Sequence, residues 1–101
     1  MRQAAEGRKR GTNAPGETWF LYILRCADGS FYTGIAKDVK RRCQQHNDGT
    51  ASRYTRSRRP IRLAYQETHF NLSSALKREA AIKAMTRRDK QALIRLRKKV
   101  R

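Results

Sequence analysis

The sequence predicts an α+β fold, a small sheet of three strands flanked by helices, with elements in the order ββαβαα. Three observations predict it. Two short apolar stretches, TWFLYILRC and SFYTG, flank an Asp-Gly turn, and β-formers on either side of such a turn read as a hairpin. A third stretch, IRLAYQETHF, alternates in polarity through its first half. Between and after these strands, AKDVKRRCQQHNDG and NLSSALKREAAIKAMTRRDKQALIRLRKK show helical spacing with capping residues at their ends.

Residues 1–17, MRQAAEGRKRGTNAPGE, mix Gly, Pro, Asn and charge without periodicity. They are read as a disordered basic tail, either inert or adding phosphate contacts, ahead of one folded domain at 18–101. TWFLYILRC is continuous in β-formers and suits a strand buried on both faces. The turn after it decides which side chains share a face. A two-residue Asp28-Gly29 loop pairs Arg25 with Tyr32 and sends Tyr22 and Tyr32 to opposite faces. A three-residue loop, Ala27-Asp28-Gly29 with Gly29 left-handed, pairs Leu24 with Tyr32 and puts Tyr22, Leu24, Tyr32 and Gly34 on one face. The sequence permits both, and the second is the expectation.

The first helix opens near Ala36 to Asp38, where Asp38 suits the positive end, and closes at Asn47-Asp48-Gly49. Its apolar stripe is thin, Val39 and Cys43. Arg42 and His46, four apart, stand one above the other along the edge of that stripe. GTASRYTRSRRP, residues 49–60, is read as a polar loop in which Arg53, Arg56, Arg58 and Arg59 surround Tyr54. Arginines interleaved with an aromatic ring suit phosphate contact and base stacking. With Arg41 they are the expected nucleic-acid contacts, a solvated loop being the alternative.

Two helices follow, broken near Thr86 to Asp89. Asn71 or Ser73 caps the first, and Leu93, Leu96 and Val100 give the second its stripe. Leu72, Ala75, Leu76 and Ile82 form the expected core face of the first, and Glu79 falls on that face. A carboxylate there is costly to desolvate unless paired. Three partners are open to it: an arginine such as Arg42, a tyrosine hydroxyl, or a divalent cation.

Charge narrows the function. With 25 Lys+Arg against 8 Asp+Glu, the formal charge is +17, an excess that repels itself and is best matched by a polyanion, of which nucleic acid is the commonest. No apolar run is long enough to cross a bilayer, and the N-terminus lacks the apolar core of a signal peptide. A cytoplasmic location, on or near the nucleoid, is expected, with no membrane partner. Cys26 and Cys43 are neither a metal-spaced pair nor a disulfide framework and are read as small core residues.

These residues carry a resemblance. The chain resembles the GIY-YIG nuclease superfamily, nearest to its small single-domain bacterial, UPF0213-like type. The first strand motif stands as Phe20-Leu21-Tyr22 and the second as Tyr32-Thr33-Gly34, followed by the KDVKRR helix and later by ALKREAAIK. The likeness runs from about Trp19 to Leu96. It implies a three-stranded antiparallel sheet and hydrolysis of phosphodiester bonds in DNA with one divalent ion, Mg²⁺ or Mn²⁺. By position it implies Tyr22, Tyr32, Arg42, His46 and Glu79 as catalytic residues, with Glu79 the metal ligand. Two positions depart from the pattern: Phe20 replaces the first glycine, and Ile35 stands where some members carry an active-site lysine.

Cleaving a phosphodiester needs an activated water, neutralised phosphoryl oxygens and a stabilised leaving oxygen. The resemblance assigns the ion to Glu79 and the attacked phosphate to Arg42, which offers two donors. Tyr22 is the expected base, with Tyr32 or His46 orienting the network. Phenol ionises near ~10, so this role requires the ion and Arg42 to depress it. His69 is expected to be structural, and Gly34 to permit close packing or close substrate approach. The expected function is a metal-dependent DNA endonuclease of low sequence specificity, or selective for branched, flapped or single-stranded regions, acting in DNA repair or processing. RNA remains open as a target. The alternative is a non-catalytic nucleic-acid-binding module of the same fold.

Overall fold

β1 (Trp19–Arg25) takes the centre of the sheet because it has no polar face to offer water: Leu21, Tyr22, Ile23 and Leu24 are at most 2% exposed. β2 (Phe31–Ala36) and β3 (Arg62–His69) pair with it on either side, both antiparallel, in the order β2-β1-β3. This computed structural model describes residues 17–100, with the side chains of 98–100 left out. Apart from Glu17, the expected tail lies outside the described residues.

The helices are α1 (Val39–Asp48), α2 (Arg53–Arg56), α3 (Leu72–Lys83) and α4 (Arg87–Val100). The chain is therefore α+β in the expected order, with a correction: the polar loop contains a one-turn helix, α2, capped by Ser52, whose hydroxyl accepts from the Thr55 N–H at 3.1 Å. Among the described residues no helix is long and apolar enough to cross a membrane.

The hairpin turn is the three-residue form. Gly29 is left-handed at φ 85° and donates its N–H to the Cys26 carbonyl, while Cys26 donates to Ser30 O, each at 2.9 Å. Leu24 then faces Tyr32, and Tyr22 faces Gly34. Glycine is suited to that φ because it has no Cβ to clash.

Alternation along the sheet builds two cores. Tyr22, Leu24 and Cys26 join Ala36, Val39 and Ile61 on the α1 side. Leu21 and Ile23 join Tyr65, Ile82 and Ile94 on the α3 and α4 side. Three details of the helices differ from expectation. In α1 the inner stripe continues to His46, which is fully buried, so His46 lies on the stripe and not at its edge. In α3 the inner positions are Ala75 and Ile82, both 0% exposed, whereas Leu72 and Leu76 are 42% and 47% exposed. The inner face of α3 thus runs through Ala75 and Ile82, and the two leucines lie on its outer side. In α4 Ile94 is buried and Leu96 is 61% exposed; the Val100 side chain lies outside the described residues. Asn71, not Ser73, caps α3, accepting from the Ser74 N–H at 2.8 Å.

Candidate active site

On the α1 side, the odd-length turn puts Tyr22 and Tyr32 on one face, and Gly34 makes room for the first of them. A Cβ at Gly34 would lie 2.6 Å from the Tyr22 Oη and 2.7 Å from its Cζ. The glycine thus serves close packing of the Tyr22 ring.

α1 then brings His46 against both tyrosines. It is started by Asp38, whose carboxylate accepts from the Arg41 N–H at 3.0 Å, and ended by Gly49 at φ 82°. The His46 Nε2 lies 3.2 Å from the Tyr22 Oη, and its Nδ1 lies 2.7 Å from the Thr55 Oγ1. Its ring stands edge-on to Tyr32 with centroids 5.0 Å apart. Thr55, fully buried on α2, is in turn 2.9 Å from the Ser52 Oγ. The result is a buried chain of imidazole and hydroxyl groups with no carboxylate in it.

That composition sets the protonation states. Burial, reinforced by the charge of Arg42, lowers the His46 pKa below its ordinary value, so the imidazole is neutral at pH 7. A neutral imidazole donates from one nitrogen and accepts at the other. The network is satisfied when Nδ1–H donates to Thr55 and Nε2 accepts from the Tyr22 hydroxyl. Tyr22 is pushed up to about 12, mainly by burial, against the opposing pull of Arg42. From the protein's own groups, a phenol only 2% exposed loses more from desolvation of its anion than the Arg42 guanidinium returns; the expected lowering called for Arg42 and a bound ion together. Tyr32, half-buried, is the phenol of this pair that reaches solvent.

Arg42 is half-buried and donates from Nη1 to the Gln45 Oε1 at 3.0 Å. Tyr54 stacks on Tyr32 with centroids 6.0 Å apart, and the Arg58 guanidinium lies 3.8 Å above the Tyr54 ring. With these contacts Tyr54 is still 38% exposed. Arg58 also bonds Asp28 at 3.1 Å, tying α2 to the hairpin turn. Arg59 donates to the backbone carbonyls of Arg56 and Asn47. Arg41, Arg53 and Arg56 point outward and are exposed.

Glu79 sits in the other layer. It lies between Ala75 and Ile82 on the inner stripe of α3, its side chain 19% exposed, with Oε2 3.3 Å from the Nζ of Lys83, an exposed lysine one turn on. Among the described residues no hydrogen bond or ion pair joins Glu79 to Tyr22, Tyr32, Arg42 or His46. Of the partners open to it in the sequence, the structure supplies a lysine that the sequence reading had not considered. α3 does pack against β2, the edge strand that carries Tyr32. Among the described residues no group of three or more His, Cys, Asp or Glu could hold a metal. A single carboxylate with one solvent-exposed cationic partner does fit Mg²⁺ or Mn²⁺, hard ions that keep several waters and need one or two carboxylates.

The second histidine is part of a different network. His69 Nε2 lies 2.7 Å from the Glu67 Oε2 and its Nδ1 lies 2.7 Å from the Ser74 Oγ. Arg78 donates to the same Glu67 oxygen at 2.9 Å and Tyr65 donates to the other at 2.5 Å. This ties β3 to α3.

Sequence reasoning missed Thr55 and Gln45. The signal for Thr55 was the cap pattern of Ser52 three residues before it; Gln45 had none beyond its spacing from Arg42.

Residues 18–92 match the GIY-YIG catalytic domain. A UPF0213 protein of Staphylococcus aureus is 51% identical over 78 residues, covering 77% of this chain and 95% of the relative. Two solution structures are similar. The UPF0213 protein of Bacillus halodurans aligns with TM-score 0.52 at 39% identity, and a protein of E. faecalis with TM-score 0.56 at 37%. Each alignment covers 78% of this chain and 84% of the other.

Proposed function

The chain belongs to the GIY-YIG family, a family of nucleases acting on nucleic acids, and from that premise we propose that it is a divalent-metal-dependent DNA endonuclease. Its substrate is DNA with branched, flapped or single-stranded regions, cut with low sequence specificity, as in repair or processing.

The observation that carries this reading is the pairing of a solvent-reaching phenol, Tyr32, with a neutral imidazole and a guanidinium on one face. Tyr32 meets the water, Arg42 the attacked phosphate. The Tyr32 hydroxyl first gives its proton to solvent, and the phenolate oxygen then takes a proton from the water as the water oxygen bonds phosphorus. The bond from phosphorus to the 3′ oxygen breaks, and that oxygen leaves with the electron pair and is protonated by solvent. His46 and Tyr22 hold the Tyr32 ring from below, and their own protons stay in place because both are sealed from water. Arg42 spreads two donors over the phosphate oxygens. Glu79 would hold the divalent ion, which when bound supplies Lewis-acid stabilisation to the leaving oxygen. Arg41, Arg53 and Arg56 supply salt-sensitive phosphate contacts.

The test is cleavage of supercoiled plasmid and of branched, flapped and linear oligonucleotides with Mg²⁺, with Mn²⁺ and with EDTA, alongside Glu79→Ala. Metal-dependent nicking that the variant lacks supports the proposal. Binding without cleavage on every substrate overturns it in favour of a non-catalytic module.

A further inference from the structure

A cleft of about 560 Å³ opens on the face of the sheet away from Tyr22 and Tyr32, between β1, β3 and α4. Its walls carry Arg25, Arg62 and Arg95, and none of the residues lining it is acidic. Arg25 and Arg62 are directly opposed cross-strand partners. Like charges in that position repel and weaken a sheet, yet here α4 adds another arginine to them. Among the described residues the acidic ion-pair partners engage Arg58, Arg78, His69 and Lys83, so none of these three is neutralised. All three are exposed, so their removal takes nothing from the core.

The floor is of another kind. Phe31, half-buried, packs against two guanidinium groups, Arg87 at 4.8 Å and Arg25 at 5.9 Å, and Ile94 and Leu63 line the same cleft, Leu63 being 47% exposed. Guanidinium walls beside the exposed apolar surface of Leu63 combine the two contacts that a nucleotide with an unpaired base requires, phosphate neutralisation and an apolar surface for the base. The volume falls in the range of small-ligand clefts. A duplex satisfies the walls but not the floor, because its bases are stacked inside.

We infer that this cleft is a second nucleic-acid site, taking a short stretch of single-stranded DNA on the sheet face opposite Tyr22, Tyr32 and His46. The choice of polymer rests on the nuclease reading above. A branched substrate could then lay its duplex against α1 and α2 and its unpaired arm against α4, which gives the nuclease domain itself a means of recognising structure.

The experiment is an NMR titration of ¹⁵N-labelled protein with pentathymidylate in EDTA, where cleavage cannot contribute. Amide shifts should saturate and cluster at Arg25, Arg62, Ala64, Gln91 and Arg95. The triple variant Arg25→Gln, Arg62→Gln, Arg95→Gln should weaken binding at least about 10-fold, and a charge-matched control, Lys77→Gln, Arg88→Gln, Arg97→Gln, only about 2- to 3-fold at the same salt. Equal losses in the two variants, shifts confined to the α1 and α2 side, or displacement by a duplex as effective as by a single strand would overturn the inference. Cleft binding in a protein that cuts nothing removes the nuclease reading alone. Cleavage with an unperturbed cleft removes this one alone.

Discussion

Two histidines, one on each side of the sheet, are built into opposite kinds of network. His46 is 0% exposed and bonds only to hydroxyl groups, those of Tyr22 and Thr55. His69 is 15% exposed in its side chain and bonds to a carboxylate that also takes Arg78 and Tyr65. The difference lies in the charge. Glu67 lets its network hold cations, and that network ties β3 to α3. The His46 network has no anion, so the ring stays neutral and the nearby positive charge of Arg42 is left for something from outside to answer. Two similar sets of side chains thus differ in charge, one holding the layers together around an anion and one, in the proposed function, presenting a face to a phosphate.

This contrast can be broken by substitution. The largest effect on activity is expected at Glu79: Glu79→Ala should lower metal-dependent cleavage by more than the ~10- to 100-fold that loss of a supporting residue costs. Its midpoint in urea should hardly move, because the ion pair it loses reaches an exposed lysine. A full rate in this variant would remove Glu79 from the site. Glu67→Ala should do the reverse, costing about 2 to 4 kcal/mol of stability by stranding Arg78 and Tyr65 while the rate per folded molecule is kept. Gly34→Ala should cost about 1 to 3 kcal/mol, since the new methyl group collides with the Tyr22 ring. Urea unfolding and single-turnover cleavage separate these outcomes.

The smallest effects are in pH dependence. Burial first, then Arg42, lowers the His46 pKa in the fold below its ordinary 6.5, so the unfolded chain takes up the proton first as pH falls. The stability linked to His46 is complete above that value and is lost as pH falls through the lowered one. Glu67 is also lowered, burial opposing the shift and the hydrogen bonds from Tyr65, His69 and Arg78 outweighing it. Its contribution is complete above the ordinary 4.5 and is lost below it. Two steps should therefore appear in stability against pH. His46→Gln should erase the upper one and Glu67→Gln the lower, and a single step unaffected by both would contradict the contrast.

Much of the fold was legible because local chemistry decided it. Asp38, Asn71 and Gly49 mark helix ends by what their own atoms can bond, and the Ala27-Asp28-Gly29 turn fixed the shared face of Tyr22 and Tyr32 once Gly29 took the left-handed conformation. What the sequence concealed depended on distant neighbours. His46 reads as an edge residue until Thr55, nine positions on, is brought beneath it to satisfy its second nitrogen. The burial that pushes the Tyr22 hydroxyl up to about 12 is likewise set by distant neighbours. Tyr54 reads as a free aromatic ring in a loop, whereas Tyr32 and Arg58 pack against it. Leu72 and Leu76 read as core by hydrophobicity alone, whereas the inner face of α3 runs through Ala75 and Ile82.

The most direct test of the contrast compares two tyrosines that each lose one hydroxyl. Single-turnover cleavage of a flapped duplex with Mg²⁺ should fall at least ~100-fold in Tyr32→Phe, the loss expected for a group that moves a proton, with stability unchanged. In Tyr65→Phe the rate should stay at the wild-type value while stability falls by about 1 kcal/mol for one lost hydrogen bond. Wild-type cleavage by Tyr32→Phe would contradict the account, as would an equal loss of rate in both variants.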